Sequence, residues 1–157
     1  MRSFELSVPI FHCYTRLFNT HMVDLNLKPI GTVQSALIKR EDCPLQGDEG
    51  APEAWLNIDK EFLPGLQGLK VGNEIILLTW FHLVDREVLK CYPRNQINSP
   101  HVGVFTTRSP DRPNLIGLHP VKVLAIESGR VKVYPLEALD GTLLLDIKPV
   151  IRSTIPG

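Results

Sequence analysis

The stretch Glu74–Asp85, EIILLTWFHLVD, is the plainest strand in the sequence. Its residues are β-branched, aliphatic and aromatic, the types that suit a pleated surface. Its apolar character is nearly continuous, which predicts a strand covered on both faces. The apolar run from Ile75 to Phe81 is far shorter than the roughly 20 residues that a membrane-spanning helix needs.

Thirteen prolines and eleven glycines punctuate the chain around it. That spacing argues against long helices and for many short strands. Upstream, Leu25–Gln34 reads as a strand, Lys39 to Pro52 as a polar loop, Ala54–Ile58 as a short strand and Lys60–Leu66 as a brief helix or turn. Downstream, Glu87–Cys91 follows a turn, Tyr92–Pro100 is loop, and His101–Thr106 is a strand running into a proline-rich segment. His119–Glu127 and Val131–Tyr134 flank Ser128-Gly129, a hairpin turn signal. Leu143–Ile147 is a final strand stopped by Pro149. Heptads, repeats and low-complexity tracts are absent. The pattern predicts a mainly all-β chain: a small antiparallel β-barrel of about seven strands, which removes its sheet edges, with long loops and little helix.

The 157 residues suit one domain. Residues 1–21 join no pattern that follows, and Met22 stands just before Val23-Asp24-Leu25-Asn26-Leu27, the natural lead into a first strand. The expectation is an N-terminal extension over 1–21, loosely attached or not native, and a single barrel domain over 22–157. The opening residues lack the apolar core of a secretory signal.

Seventeen Lys+Arg balance seventeen Asp+Glu. This excludes a histone-like binder, because bulk phosphate affinity needs surplus cations. Cys13, Cys43 and Cys91 form no CxxC pair, which fits free thiols in a reducing cytosol and so a cytoplasmic protein. The five histidines, at 12, 21, 82, 101 and 119, show no metal-binding spacing, so no metal is expected. Ser109 lacks a GxSxG elbow, and neither GxGxxG nor a Walker lysine loop is present.

Two segments carry candidate chemistry. In Gly103–Gly117, GVFTTRSPDRPNLIG, two prolines fix the backbone while Asp111 and Asn114 can close turns. The result is a stiff loop aiming Arg108 and Arg112, either for function or as a structural turn with solvated arginines. In Leu136–Val150, LEALDGTLLLDIKPV, Asp140-Gly141 is a turn. Strict alternation then places Leu144, Asp146 and Lys148 on one face. Inside a barrel Asp146 and Lys148 would be a paired polar site; outside, an ordinary surface pair.

Together these segments resemble the signature of the TsaA-like family, which includes the tRNA methyltransferase TrmO. Its pattern runs roughly G-V-F-A-T-R-S-P-x-R-P-N-P-I-G, then L-D-x-x-D-G-T-P-x-x-D-I-K-P-Y. Weaker matches are Pro29-Ile30-Gly31-Thr32-Val33, Pro44-Leu45-Gln46 and Trp80-Phe81-His82, so the resemblance runs from about Leu27 to Ile151. It implies a small barrel that binds S-adenosylmethionine, usually as a homodimer, here in the minimal form without the C-terminal domain of longer bacterial members. For TrmO it implies N6-methylation of threonylcarbamoyladenosine beside the anticodon of tRNA.

By motif, the resemblance places Pro44, Leu45, Gln46, His82, Leu83, Arg108, Leu118, Glu137, Ala138, Leu139 and Asp140 at the cofactor. Asp140 and Asp146 are the carboxylates that could accept the departing proton, or could be structural. Arg86, Lys90, Arg94 and Arg112 are the candidate RNA contacts, with Tyr92 among them to stack a splayed base. Of the seventeen cations, Arg86, Lys90, Arg94, Arg108 and Arg112 fall within 27 residues, and acids gather in Glu41–Glu53, so a neutral total can hide a polarised surface. The chain departs from the pattern at Leu115 and Leu143 (proline in the family), Val150 (tyrosine) and Glu137 (aspartate). The added methylene of Glu137 moves its carboxylate by more than about an ångström, enough to alter a hydrogen bond. Two alternatives stand beside a tRNA methyltransferase: a module that binds the cofactor without chemistry, and a methyltransferase acting on a small molecule.

Overall fold

The computed structural model describes residues 26–151. The expected extension 1–21 and the alternative start at Met22 lie outside the described residues. Eight strands form among those described: β1 Gly31–Gln34, β2 Ala54–Ile58, β3 Glu74–Trp80, β4 Lys90–Cys91, β5 Val102–Gly103, β6 Ile116–Glu127, β7 Arg130–Tyr134 and β8 Leu143–Pro149. Six close into a ring in the order β1-β2-β7-β6-β3-β8, with β8 pairing back onto β1. Every pairing in the ring is antiparallel. The mainly β barrel is therefore as expected, with six wall strands. Among the described residues helix is limited to short 3-10 turns, including Lys60–Leu66.

The strand expected over His101–Thr106 leaves the wall. Only Val102–Gly103 pairs, with Lys90–Cys91, and the chain then winds into a 3-10 turn at Val104–Thr106. Local side chains drive this: Thr106 Oγ1 donates to Gly103 O at 2.8 Å and Thr107 Oγ1 to Val104 O at 3.0 Å. Such bonds offer the backbone an alternative to a ladder. The β6–β7 hairpin turns through Ser128 at φ 43 and Gly129 at φ 87, the left-handed pair that a tight two-residue turn requires.

Alternate residues of each strand fill the interior. Val33, Leu56, Ile75, Leu77, Val121, Val123, Val131, Val133 and Leu144 form one buried cluster with Leu136 and Ala138. Burying such side chains contributes about 1.5–3 kcal/mol each. Gly31 is required where β1 meets β2, because a Cβ there would collide with the Asn57 carbonyl.

Bulges break the alternation in two places. On β6, Val123 faces Val133 and Ala125 faces Lys132, leaving Leu124 as the extra residue. On β8, Asp146 pairs with Leu78 but Leu144 pairs with Thr79, so Leu145 is extra. The second bulge turns Leu144 inward and sends Asp146 and Lys148 to the outer wall, against the strict alternation expected from the sequence. There Lys148 Nζ lies 2.7 Å from Asp146 Oδ2, an exposed pair of small energetic weight. The chain buries only the inner face of β3 fully. Outside, Ile76, Leu78 and Trp80 are half-buried beside the exposed Ile116 and Leu118 of β6.

Candidate functional site

At one end of the barrel, four pieces of chain converge: the end of β3, the start of β6, the strap 135–142 between β7 and β8, and the loop 43–51 ahead of β2. Backbone bonds lace the strap to its neighbours. Leu136 N donates to Pro52 O at 3.0 Å, Asp140 N to Leu37 O at 2.8 Å and Gly141 N to Val33 O at 2.8 Å.

Glu137 sits at the centre of this convergence. Its side chain is 19% exposed, and Oε1 lies 2.8 Å from His119 Nδ1. The loop backbone approaches from the other side: a Cβ at position 47 would stand 3.0 Å from Glu137 Oε2 and 3.2 Å from Pro135 Cγ, so Gly47 leaves that space open. Burial pushes the Glu137 carboxyl up, but the hydrogen bond from His119, a backbone hydrogen bond and the Arg108 cation hold it below the ordinary glutamate range. At neutral pH Glu137 is thus an ionised, half-enclosed acceptor.

Arg108 comes from the stiff loop ahead of β6 and donates from Nη1 to Leu118 O at 3.3 Å. Pro44, Leu45 and Gln46 lead into Gly47, with Leu45 49% exposed. Ala138 is buried behind Glu137, and Leu139 is half-buried. Glu137, Arg108 and Gly47 are thereby brought together, with the Leu118 carbonyl held by Arg108 and its side chain on the outer wall. His82 and Leu83 follow β3 and are exposed at the same end. Asp140 is turned toward β1, where its Oδ1 accepts from Ser35 N at 3.0 Å. Asp146 is on the outer wall, where it and Leu118 flank Leu78.

The cations between 86 and 112 have differing freedom. Arg112 is half-buried and donates to three carbonyls of its own loop: Ser109 O at 2.7 Å, Thr107 O at 2.7 Å and Val104 O at 3.2 Å. Arg94 Nη2 lies 2.6 Å from Glu49. Arg86 lies over the Trp80 ring at 5.4 Å, and Lys90 is exposed on β4. Asp111 takes Arg40 at 2.5 Å and the Asp85 amide at 3.0 Å. Burial raises its carboxyl, and these bonds hold it below the ordinary aspartate range. The acid-rich and cation-rich segments therefore pack on each other, which reduces the polarisation that their spacing in sequence predicts.

No motif marks Thr79 or His119 as part of the site, and Gly117 is only the closing residue of the segment that carries Arg108 and Arg112. His119 is 2% exposed and faces inward, with Nε2 2.9 Å from Thr79 Oγ1. A carboxylate can only accept, so Nδ1 carries the hydrogen donated to Glu137 and Nε2 accepts from the Thr79 hydroxyl. A Cβ at Gly117 would stand 2.6 Å from His119 Nε2 and 2.5 Å from Phe81 Cζ. The available signal was alternation. Thr79 continues the inward set Ile75 and Leu77, and His119 the inward set Val121 and Val123, so each is a polar member of an apolar face.

Other chemistries lack support at this end. Burial, Asp42 and Glu137 raise the Cys43 thiol, which makes it a poor nucleophile. Among the described residues, no group of three or more His, Cys, Asp or Glu could hold a metal, and no helix is long and apolar enough to cross a membrane.

Comparison with known proteins agrees with the fold. The tRNA-methyltransferase O N-terminal domain family matches residues 32–154. A protein of Methanothermobacter thermautotrophicus named a probable S-adenosyl-L-methionine-binding protein is 39% identical over 128 residues, covering 81% of this chain and 90% of its own length. One so named from Methanocaldococcus jannaschii is 42% identical over 126 residues, covering 78% and 89%. The crystal structure of TrmO from P. aeruginosa aligns with a TM-score of 0.64 at 31% identity, over 80% of this chain and 54% of that one. This chain thus spans about half of that structure.

Proposed function

The chain belongs to the tRNA-methyltransferase O N-terminal domain family, and on that premise we propose that it is an S-adenosylmethionine-dependent methyltransferase of tRNA. The methylated position would be N6 of threonylcarbamoyladenosine beside the anticodon. The observation that carries this reading is the ionised Glu137 held between His119 and the Gly47 loop, with Arg108 near it.

These residues suit the cofactor. Glu137 offers an acceptor for the N–H or O–H donors of an adenosine, and Arg108 offers a partner for the carboxylate of the methionine part. Leu45, Leu118 and Leu139 supply apolar surface, and Pro44, Gln46, Ala138, His82 and Leu83 border it. When bound, the cofactor supplies an electrophilic methyl on a sulfonium. The acceptor nitrogen is weakly nucleophilic, because its lone pair is delocalised into the base. The main work of the chain is therefore orientation in line, worth several kcal/mol. Asp140 and Asp146 remain the carboxylates proposed to take the proton, with Asp140 the nearer to Glu137 along the strap.

For RNA, the surface centres on Arg86 and Lys90, with Tyr92 on the same segment to stack a splayed base; its ring lies 4.2 Å from that of His101 at a tilt of 42°. Arg94 and Arg112 would contribute after exchanging the partners they now hold. The work would be cytoplasmic, and a homodimer would cover Ile76, Leu78, Trp80 and Ile116. A second reading, cofactor binding without methyl transfer, is favoured by the engagement of Arg94 and Arg112 within the chain.

Nucleoside mass spectrometry of tRNA from a deletion strain, with and without the restored gene, tests the reading. Loss of N6-methylated threonylcarbamoyladenosine and its return support methyl transfer. Unchanged levels, together with cofactor binding in vitro, would support the second reading.

A further inference from the structure

His119 is a polar side chain on an apolar wall, and the cofactor reading does not call for it. It lies on β6 opposite Leu77, between Gly117 and Val121, all facing the interior. Its surroundings are shaped to it. Gly117 omits the side chain that would strike the ring, and Phe81 meets the ring edge-on at 5.8 Å. Thr79 bonds Nε2 at 2.9 Å, and Glu137 bonds Nδ1 at 2.8 Å. The imidazole thus joins β3, β6 and the strap. An aspartate at 137 would fall short of Nδ1 by about 1.5 Å, one carbon–carbon bond.

We propose that His119 is a positioning residue for Glu137. From inside the barrel it takes one carboxylate oxygen and fixes the other toward the Gly47 loop, so that cofactor affinity depends on a side chain the cofactor does not touch. The proposal rests on the reading of Glu137 as a cofactor residue. The charged and titratable groups facing the pair are Arg108, from the loop ahead of β6, and Cys43, from the loop after β1. The strand β3 contributes the uncharged Thr79.

Two near-isosteric variants separate the two bonds. The amide nitrogen of His119→Asn stands near the place of Nδ1 and keeps a donor for Glu137. That of His119→Gln stands near Nε2 and keeps the Thr79 partner only. By isothermal titration with S-adenosylmethionine, His119→Asn should bind within about threefold of wild type and His119→Gln about tenfold more weakly, the scale of a charge-assisted hydrogen bond. His119→Gln should also lose affinity at higher pH on the acid side, because Glu137 no longer has its donor. Wild-type affinity in folded His119→Gln, or equal losses in both variants, would overturn the proposal.

A measurement on ligand-free wild-type protein needs neither variant to fold. Long-range 15N spectra of the imidazole should show the Nδ1–H tautomer, and its shifts should follow the titration of Glu137. An Nε2–H tautomer, or shifts indifferent to Glu137, would overturn the proposal even in a protein that binds the cofactor. A wild-type protein with no affinity for S-adenosylmethionine would instead remove the cofactor reading, and the 15N result would still decide the role of His119.

Discussion

Arg94 Nη2 lies 2.6 Å from Glu49 Oε1, so an ion pair joins the cation-rich segment to the acid-rich loop. A pair this exposed contributes at most about 1 kcal/mol to stability. Its larger effect is on which cations are free to meet a phosphate. Glu49→Ala should leave the melting temperature nearly unchanged, tighten tRNA binding and steepen the salt dependence by about one counterion. Filter binding across a salt series checks this. An unchanged slope would place Arg94 outside the RNA surface.

Arg112 calls for the opposite expectation. It is half-buried and serves three carbonyls, so Arg112→Ala leaves acceptors without their donor and should cost about 1–3 kcal/mol. Arg112→Lys should rescue little of that, because an ammonium cannot reproduce the planar fork. Urea unfolding reads the difference. Full stability in Arg112→Ala would mean that the loop holds itself.

Gly117→Ala should be more damaging than its one added methyl suggests. The new Cβ meets Thr79, Phe81 and His119 at once. Overpacking of this kind costs about 1–3 kcal/mol. The displaced imidazole should also weaken cofactor binding beyond the loss of stability. Calorimetric unfolding and a binding titration on one preparation separate the two effects.

The acid limb of stability should depend on Glu137. Burial raises its carboxyl, while His119 and Arg108 hold it net low in the folded chain. A folded pKa below the unfolded one means that the contribution is present above the unfolded value, and is lost as pH falls through the folded one. Stability should therefore drop as pH falls from the ordinary glutamate range downward, and Glu137→Gln should flatten that drop. Unfolding free energies over an acid pH series would show it, and parallel curves for the two proteins would count against it.

Much of the ring is legible in the sequence because its determinants are local. The inward sets Ile75, Leu77 and Val121, Val123 announce one apolar face per strand, and Ser128-Gly129 announces the hairpin. The closure of β8 onto β1 is a long-range pairing that no local pattern encodes. The bulge at Leu145 is likewise silent, because an extra residue is visible only against its partner strand. It puts Asp146 on the outer wall, settling the side that the alternation leaves open. The motif that resembles the family collects Glu137, Arg108 and the 44–46 loop in one place. It says nothing of what stands behind Glu137. Arg112 was legible as a rigidly aimed cation, but its aim is set by one carbonyl of the 3-10 turn, Val104 O, and two that follow it, Thr107 O and Ser109 O.

The most direct test of the account is isothermal titration of S-adenosylmethionine into the wild-type protein, Glu137→Gln and Arg108→Ala. Saturable binding to wild type, weakened about tenfold or more in both variants that remain folded, is the expected result, as for loss of a charge-assisted hydrogen bond. Absence of binding at millimolar cofactor, or equal affinity in all three proteins, would contradict a cofactor site built on Glu137.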